Sequence, residues 1–342
     1  MRSLNINSKL NNYEVTICSI ENIVDSIRDH TVVIDSKVHN LYKDYFKNVD
    51  TISYVCEEQE KTLYGVTKLV SSFISKGLKS NAKIAVVGGG ILQDVAGFAC
   101  SIFCRGVEYT LVPTTLLSQA DSCIGGKTSI NFSSVKNILG TFYPPKKILI
   151  STEFINTLTI KDYYSGMGEI VKFNILKDTL DNLTLYSVED LVYDSLNYKA
   201  RIIEIDEFDK ADRKFLNFGH TFGHALESSS SYKIPHGSAV LLGILIANNV
   251  SKSLGLLSAE KESLVSNLIF DYIKNIDYID QDWFDFDKLL SIIKHDKKNT
   301  GIINMVLITE EKSIIKPIED IQILKNAVKN IYETIRLRNT IS

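Results

Sequence analysis

Lys83-Ile-Ala-Val-Val-Gly88-Gly89-Gly90-Ile-Leu-Gln93-Asp94-Val-Ala-Gly97-Phe98 is the stretch that decides the class of fold. The unbroken apolar run after Lys83 reads as a buried strand. Three glycines interrupt it, and the spacing beyond them is that of a helix. Glycines at such a turn let a ligand approach the backbone closely. The helix start adds unpaired N–H groups and the positive end of its dipole. Together these outline a site for a dinucleotide pyrophosphate. The spacing departs from G-x-G-x-x-G, so the same residues also describe a tight turn of any α/β protein.

Upstream of this turn, Tyr13–Ser19, Thr31–Asp35 and Thr51–Val55 are short runs rich in β-branched residues, whereas Val38–Phe46 and Glu60–Lys76 have helical spacing. Downstream, Glu108–Val112 and Lys147–Ser151 read as further strands. Alternation of this kind predicts a parallel sheet covered by helices. Between the last two strands lie Pro113-Thr114-Thr115-Leu116-Leu117 and Asp121-Ser-Cys-Ile-Gly125-Gly126-Lys127-Thr128. Gly126-Lys127-Thr128 is not a triphosphate P-loop, because the first glycine of that motif would fall on Asp121. Lys127 nevertheless stands among glycines, where a cation can reach an anionic ligand. A merely solvated lysine fits this apolar, glycine-rich setting less well. From about Thr157 the period becomes helical, which predicts an α/β domain over 1–157 and a mainly α-helical domain over 158–342.

The second half carries the stretch Arg213-Lys-Phe-Leu-Asn217-Phe-Gly-His220-Thr-Phe-Gly-His224-Ala-Leu-Glu227, then Pro235-His236-Gly237. It holds three of the six histidines in the chain. A helix over 216–228 places His220 and His224 on one face, and His236 at the start of the next helix can fold back toward them. Two imidazoles and a carboxylate make a divalent-metal site, and an open fourth position makes it catalytic. Spacing alone does not say which two histidines bind. Gly166-Met-Gly168-Glu169-Ile-Val-Lys172 is expected to open a helix, with Glu169 as the third ligand and Lys172 beside it to hold an anion. Without the histidines, an ordinary i,i+3 ion pair would explain those two residues.

Composition narrows the function classes. A formal charge of −3 provides no general basic surface for nucleic acid. No apolar run approaches a membrane span, and no leader pattern opens the chain. Five cysteines without a C-x-x-C pair, two of them (Cys100 and Cys104) expected on one helix, suit a reducing cytoplasm. A hairpin over 302–315 and a helix over 320–336 are expected near the end, after the basic doublet Lys297-Lys298.

From about Glu58 to Asn299 the chain resembles the 3-dehydroquinate synthases, a family within the sugar phosphate cyclases. The blocks that carry the likeness are Gly88–Phe98, Arg105-Gly106, Pro113–Leu117, Asp121–Thr128, Lys136-Asn137, Gly168–Lys172, Arg213–His224 and His236-Gly237. The resemblance implies a Rossmann-like NAD-binding domain followed by a metal- and substrate-binding domain. The family's metal ligands, for Zn²⁺ or Co²⁺, fall on Glu169, His220 and His236, which leaves His224 as an acid/base and substrate contact. Its NAD-binding positions fall on Glu58, Lys61, Gly89, Gly90, Ile91, Leu92, Gln93, Asp94, Thr114, Thr115, Leu117, Asp121, Lys127, Lys136 and the segment from Phe154 to Thr157. Substrate contacts fall on Lys127, Asn137, Lys172, Lys199, Arg213 and Asn217, with a further lysine at Lys297 or Lys298. Arg105 matches a residue that reaches the substrate phosphate across a homodimer interface.

The implied activity converts 3-deoxy-D-arabino-heptulosonate 7-phosphate, a small sugar acid phosphate, into 3-dehydroquinate and phosphate in the shikimate pathway. NAD acts catalytically. Oxidising the C5 hydroxyl acidifies the neighbouring C–H so that phosphate can leave. Hydride return, ring opening and an aldol closure follow. Departures from the family pattern are Gln93 in place of a glycine, Ser238 in place of a glutamate, and Cys56-Glu57 in place of Asp-Gly. They bear on NAD affinity and reaction fidelity. The substrate-facing set is intact, which favours this activity over cyclases that make 2-deoxy-scyllo-inosose or amino-dehydroquinate. A metal-dependent polyol dehydrogenase of similar plan would instead release NADH stoichiometrically.

Overall fold

Short β-branched runs alternating with helices build a seven-stranded sheet in the first part of the chain. The computed structural model describes residues 2–133, 135–180, 182–273, 279–296 and 303–339. In chain order the elements are β1 (Arg2–Ile6), β2 (Tyr13–Ile17), α1 (Ile20–Ile27), β3 (Thr31–Asp35), α2 (Ser36–Leu41), α3 (Lys43–Phe46), β4 (Thr51–Tyr54), α4 (Leu63–Ser75), β5 (Ile84–Gly88), α5 (Gly90–Ile102), β6 (Tyr109–Pro113), β7 (Lys127–Phe132), β8 (Val135–Phe142) and β9 (Lys147–Ile150). The strand order is β1-β2-β9-β6-β5-β3-β4, with β1 antiparallel to β2 and the other neighbouring pairs parallel. Residues Val32–Ile34 of β3 and Ile84–Val87 of β5 are wholly buried, as a parallel sheet covered on both faces requires. The chain leaves β3 toward β4 on one side and β5 toward β6 on the other. Strand order therefore reverses between them and opens a crevice at their carboxyl ends, where the Gly88–Gly90 turn lies.

The remaining elements are α6 (Ile160–Leu176), α7 (Val188–Ile205), α8 (His220–Ser229), α9 (His236–Ser253), α10 (Ala259–Tyr272), α11 (Phe286–Asp296), β10 (Ile303–Ile308), β11 (Ser313–Ile318) and α12 (Ile321–Asn339). Two compact units result. The first is Met1–Thr159 with Tyr186–Phe208, and the second is Ile160–Leu185 with Asp209–Ser342. The division is thus not a single boundary after residue 157, because α7 returns to the first unit. Polar contacts explain why: Arg2 pairs with Asp190 at 2.6 Å, Asn7 donates to Glu204 at 2.8 Å, and Lys199 pairs with Asp121 at 2.8 Å.

In the second unit the middle of α9 is apolar all round. Ala239–Leu242 and Ile244–Ala247 are fully buried, and α6, α8, α10 and α12 surround them. Glycine allows two of these helices to touch: a Cβ on Gly168 would stand 2.4 Å from the carbonyl oxygen of Gly237. Among the described residues, no helix is long and apolar enough to cross a membrane.

Several local expectations need correction. The helix expected over 216–228 begins only at His220. A 3-10 turn spans Asp212–Asn217, and Gly219 breaks the path at φ 79°. Gly166 lies inside α6 rather than opening it. Cys104 lies beyond the end of α5 and is exposed at φ 50°, so it does not share a helix with buried Cys100. The β7–β8 hairpin and strand β1 were not anticipated from the pattern. Lys297 and Lys298 lie outside the described residues.

Candidate active site

Three elements of the second unit converge on one buried carboxylate. Glu169, in the middle of α6, is fully buried. Its Oε1 lies 3.5 Å from His220 Nε2 and 3.2 Å from His236 Nε2. His220 is the first residue of α8, placed there by the left-handed Gly219. His236 is the first residue of α9, whose N-cap, Pro235, has no side-chain acceptor. Ser165 supplies one from α6, its Oγ accepting the Gly237 N–H at 3.1 Å. One helix thus carries the carboxylate and also holds the second imidazole in register. The outer ring nitrogens are engaged as well: His220 Nδ1 lies 3.1 Å from the Phe218 carbonyl oxygen, and His236 Nδ1 lies 3.0 Å from Glu227 Oε2.

The donor set fits a divalent ion. Ligand bonds of about 2.0–2.1 Å in a tetrahedron put donors roughly 3.4 Å apart. The two gaps measured from Glu169 bracket that length, and all three ligand atoms lie within 4.8 Å of one another. A second group, His224, Glu227 and His236, meets the same limit among the described residues. Burial works against the charge on Glu169, but the Lys172 ammonium touching Oε2 and the two imidazoles hold its carboxyl well below the usual range. Burial and the same ammonium keep His220 well below the ordinary imidazole value, so it is neutral. Burial also opposes the charge on His236, yet hydrogen bonds to Glu169 and Glu227 push it up to about 10.

Near this centre, His224 is exposed on α8, its ring centroid 5.2 Å from that of His220 and 5.8 Å from that of His236. The turn before α8 carries buried Arg213 and exposed Asn217. Ser238, just beyond His236, is buried with a hydroxyl that has no hydrogen-bond partner among the described residues.

The first unit gathers most of the expected cofactor positions at the carboxyl ends of its strands. Gly89 caps α5 without a side-chain hydrogen bond, so no cap side chain competes for the first-turn N–H groups. A Cβ on Gly90 would meet nothing nearer than Ser122 Oγ at 4.0 Å, so the approach to this helix start is open, as a pyrophosphate requires. Thr114 and Thr115 follow β6, and the turn Thr152–Thr157 follows β9, with Phe154 buried and Thr157 exposed. Gln93 is buried, its Oε1 accepting from Ser122 Oγ at 3.0 Å.

A polar cluster ties the β7–β8 hairpin to α5. Lys61 Nζ lies 2.6 Å from Asp94 Oδ2 and donates to Asn137 Oδ1 at 2.7 Å. Ser129 N–H donates to Asp94 Oδ1 at 2.8 Å. Glu58 accepts from Asn131 at 3.0 Å and pairs with Lys136 at 3.1 Å. Burial raises the Asp94 carboxyl despite Lys61. Burial would raise Glu58 too, but the Asn131 amide and the lysines hold it lower. Lys199, buried on α7, donates to the Asp121 carbonyl at 2.7 Å as well as pairing with its carboxylate. Lys127 is exposed at the start of β7. Arg105 is not brought to this group: it is exposed at φ 67°, beyond the far end of α5, roughly 18 Å along the helix axis from the glycine turn. Glu227, Ser165 and Asn131 were absent from the expected set. The only trace of Glu227 was its i+3 spacing from His224.

The fold is that of the sugar phosphate cyclases. A crystal structure of 2-deoxy-scyllo-inosose synthase complexed with carbaglucose-6-phosphate, NAD+ and Co2+ is similar at a TM-score of 0.83 and 23% identity, covering 96% of this chain and 100% of that one. The 2-epi-5-epi-valiolone synthase from Streptomyces hygroscopicus subsp. jinggangensis 5008, with NAD+ and Zn2+ bound, gives 0.79 at 22% identity, with 96% and 99% covered. Within that class the chain belongs to the 3-dehydroquinate synthase family. Residues 51–165 match 3-dehydroquinate synthase N-terminal, and residues 166–299 match 3-dehydroquinate synthase C-terminal. The 3-dehydroquinate synthase of Clostridium tetani (strain Massachusetts / E88) is 35% identical over 327 residues, which cover 89% of this chain and 85% of that protein.

Proposed function

We propose that the protein is a phosphate-eliminating cyclase that converts 3-deoxy-D-arabino-heptulosonate 7-phosphate into 3-dehydroquinate and phosphate. The observation that carries this reading is the convergence of Glu169, His220 and His236 on one point, in a chain of this family. These three side chains hold a divalent ion, Zn²⁺ or Co²⁺. The glycine turn, with Glu58, Lys61, Asp94, Thr114, Thr115, Leu117, Asp121, Lys127, Lys136, Phe154 and Thr157, holds NAD. When bound, the two groups supply a reversible hydride acceptor and a Lewis acid for the hydroxyl being oxidised.

The residues of the chain bind, orient and move protons. Lys172 and Arg213 are buried cations suited to the substrate's carboxylate and phosphate, and Asn217 offers an amide. Lys127, Asn137 and Lys199 serve the same substrate. His224 serves as the acid/base group at its imidazole. It is exposed, and its neighbours His220 and His236 are committed elsewhere. Holding the two anionic ends at a fixed separation orients the substrate for ring opening and aldol closure. A homodimer, with Arg105 reaching the partner subunit, belongs to this reading, as does a reducing cytoplasm. All five cysteines are free thiols.

Incubation with NAD, Zn²⁺ and the heptulosonate phosphate is expected to release phosphate with no net gain in NADH absorbance. Release from glucose 6-phosphate but not from the heptulosonate phosphate would overturn the reading, and stoichiometric NADH would indicate a dehydrogenase. Light scattering on the purified protein tests the dimer.

A further inference from the structure

We propose that Glu227 is a positioning residue of the metal centre. Its carboxylate accepts the Nδ1–H of His236 and so fixes that ring with Nε2 facing the ion. This rests on the assignment of Glu169, His220 and His236 as the ion's ligands. A neutral imidazole carries its proton on either nitrogen, and only the Nδ1–H tautomer leaves Nε2 free to bind a metal. The carboxylate oxygen 3.0 Å from Nδ1 selects that tautomer, and the Glu227 side chain is only 15% exposed. His220 is held in the same sense by the Phe218 carbonyl oxygen at 3.1 Å. Both imidazoles therefore have an acceptor behind them and the same Glu169 oxygen in front. Glu227 lies two turns after His220 on α8, so a single helix delivers one ligand and the group that aims the other. Hydrogen-bond partners of this kind typically change metal affinity by about 10–100-fold.

The test uses metal-free wild type, Glu227→Ala, Glu227→Gln and His220→Ala. Co²⁺ titration is followed by visible absorption, Zn²⁺ affinity by competition with a chromophoric chelator, and folding by thermal unfolding of the metal-free forms. Glu227→Ala is expected to bind both ions about 10–100-fold more weakly, with an altered Co²⁺ spectrum. Glu227→Gln, whose amide oxygen accepts the same N–H, is expected to stay close to wild type. If Glu227→Ala does not fold, Glu227→Met removes the acceptor while keeping the bulk and takes its place. Wild-type affinity and spectrum in the variant lacking the acceptor would overturn the proposal. So would equal losses in the alanine and glutamine variants, or two Co²⁺ per wild-type chain falling to one in Glu227→Ala, which would make Glu227 a ligand itself. His220→Ala separates the two levels: if it retains wild-type binding, the ligand assignment fails and the role of Glu227 with it, whereas its loss of metal beside an unaffected Glu227→Ala sinks only the latter.

Discussion

Replacing Gly168 by alanine asks whether the crossing of α6 and α9 sets the geometry of the metal centre. The new Cβ would stand 2.4 Å from the Gly237 carbonyl oxygen, 2.5 Å from its carbon and 2.7 Å from its Cα. Ordinary contact begins near 3.4 Å, so the helices must part by about 1 Å in a core that deforms little. Glu169 and His236 are the chain neighbours of the clashing glycines, so the movement acts on the 3.2 Å gap between them. The gap opens to about 4 Å, wider than a tetrahedral ion spans. Two effects on stability oppose each other. Overpacking costs about 1–3 kcal/mol, whereas alanine is about 1 kcal/mol better than glycine inside a helix. The net loss is about 0–2 kcal/mol, and nothing offsets the misplaced ligand. Disturbing the orientation of a ligand typically costs about 10–100-fold in metal affinity, so chelator competition should show Zn²⁺ affinity reduced by that factor, with the metal-free melting temperature only slightly lower. Wild-type Zn²⁺ affinity in Gly168→Ala would refute the idea that this contact sets the ligand spacing.

Four further outcomes concern the metal centre and the polar cluster at α5. Because His236 is pushed up to about 10 in the metal-free protein, Zn²⁺ binding at neutral pH should release about one proton. Calorimetry in buffers of different ionisation enthalpy reads it, and buffer-independent heats would contradict it. The sign for stability follows from the same shift: the interaction stabilises the metal-free fold fully below the ordinary 6.5 and is lost as pH rises through about 10. Lys61→Met leaves the half-buried Asp94 carboxylate without the cation that pairs with it and should cost about 1–3 kcal/mol in urea unfolding. Adding Asp94→Asn should recover part of that loss, whereas a strictly additive double variant would exclude a coupled pair. His224→Ala should keep the ion and lose about 10²–10⁴-fold in turnover, and loss of bound metal would instead move His224 into the ligand set.

Much of the architecture was legible because it depends on local period. Ile84–Val87 running into Gly88–Gly90 announces a strand, a turn and a helix within a few residues. β7 and β8 escaped because their residues are largely polar or exposed and the turn between them lacks glycine: Ser133 itself adopts φ 54°. The spacing of α7 shows a helix but cannot show which unit it joins, since that choice rests on Arg2, Asn7 and Asp121, far away in sequence. The segment before His220 looked helical from its apolar spacing, yet Gly219 turns left-handed there, its carbonyl close against Gly243 of α9.

The site divides in the same way. Residue types and spacing by themselves marked His220, His224, His236 and Glu169 as candidates for a metal, because few-residue periodicity determines which side chains share a helix face. Which pair of imidazoles meets Glu169, and that Glu227 and Phe218 stand behind them, was decided only by the packing of α6, α8 and α9. That packing depends on backbone contacts between glycines and on the Ser165 cap for Gly237, distances between residues some 70 positions apart that no local pattern encodes.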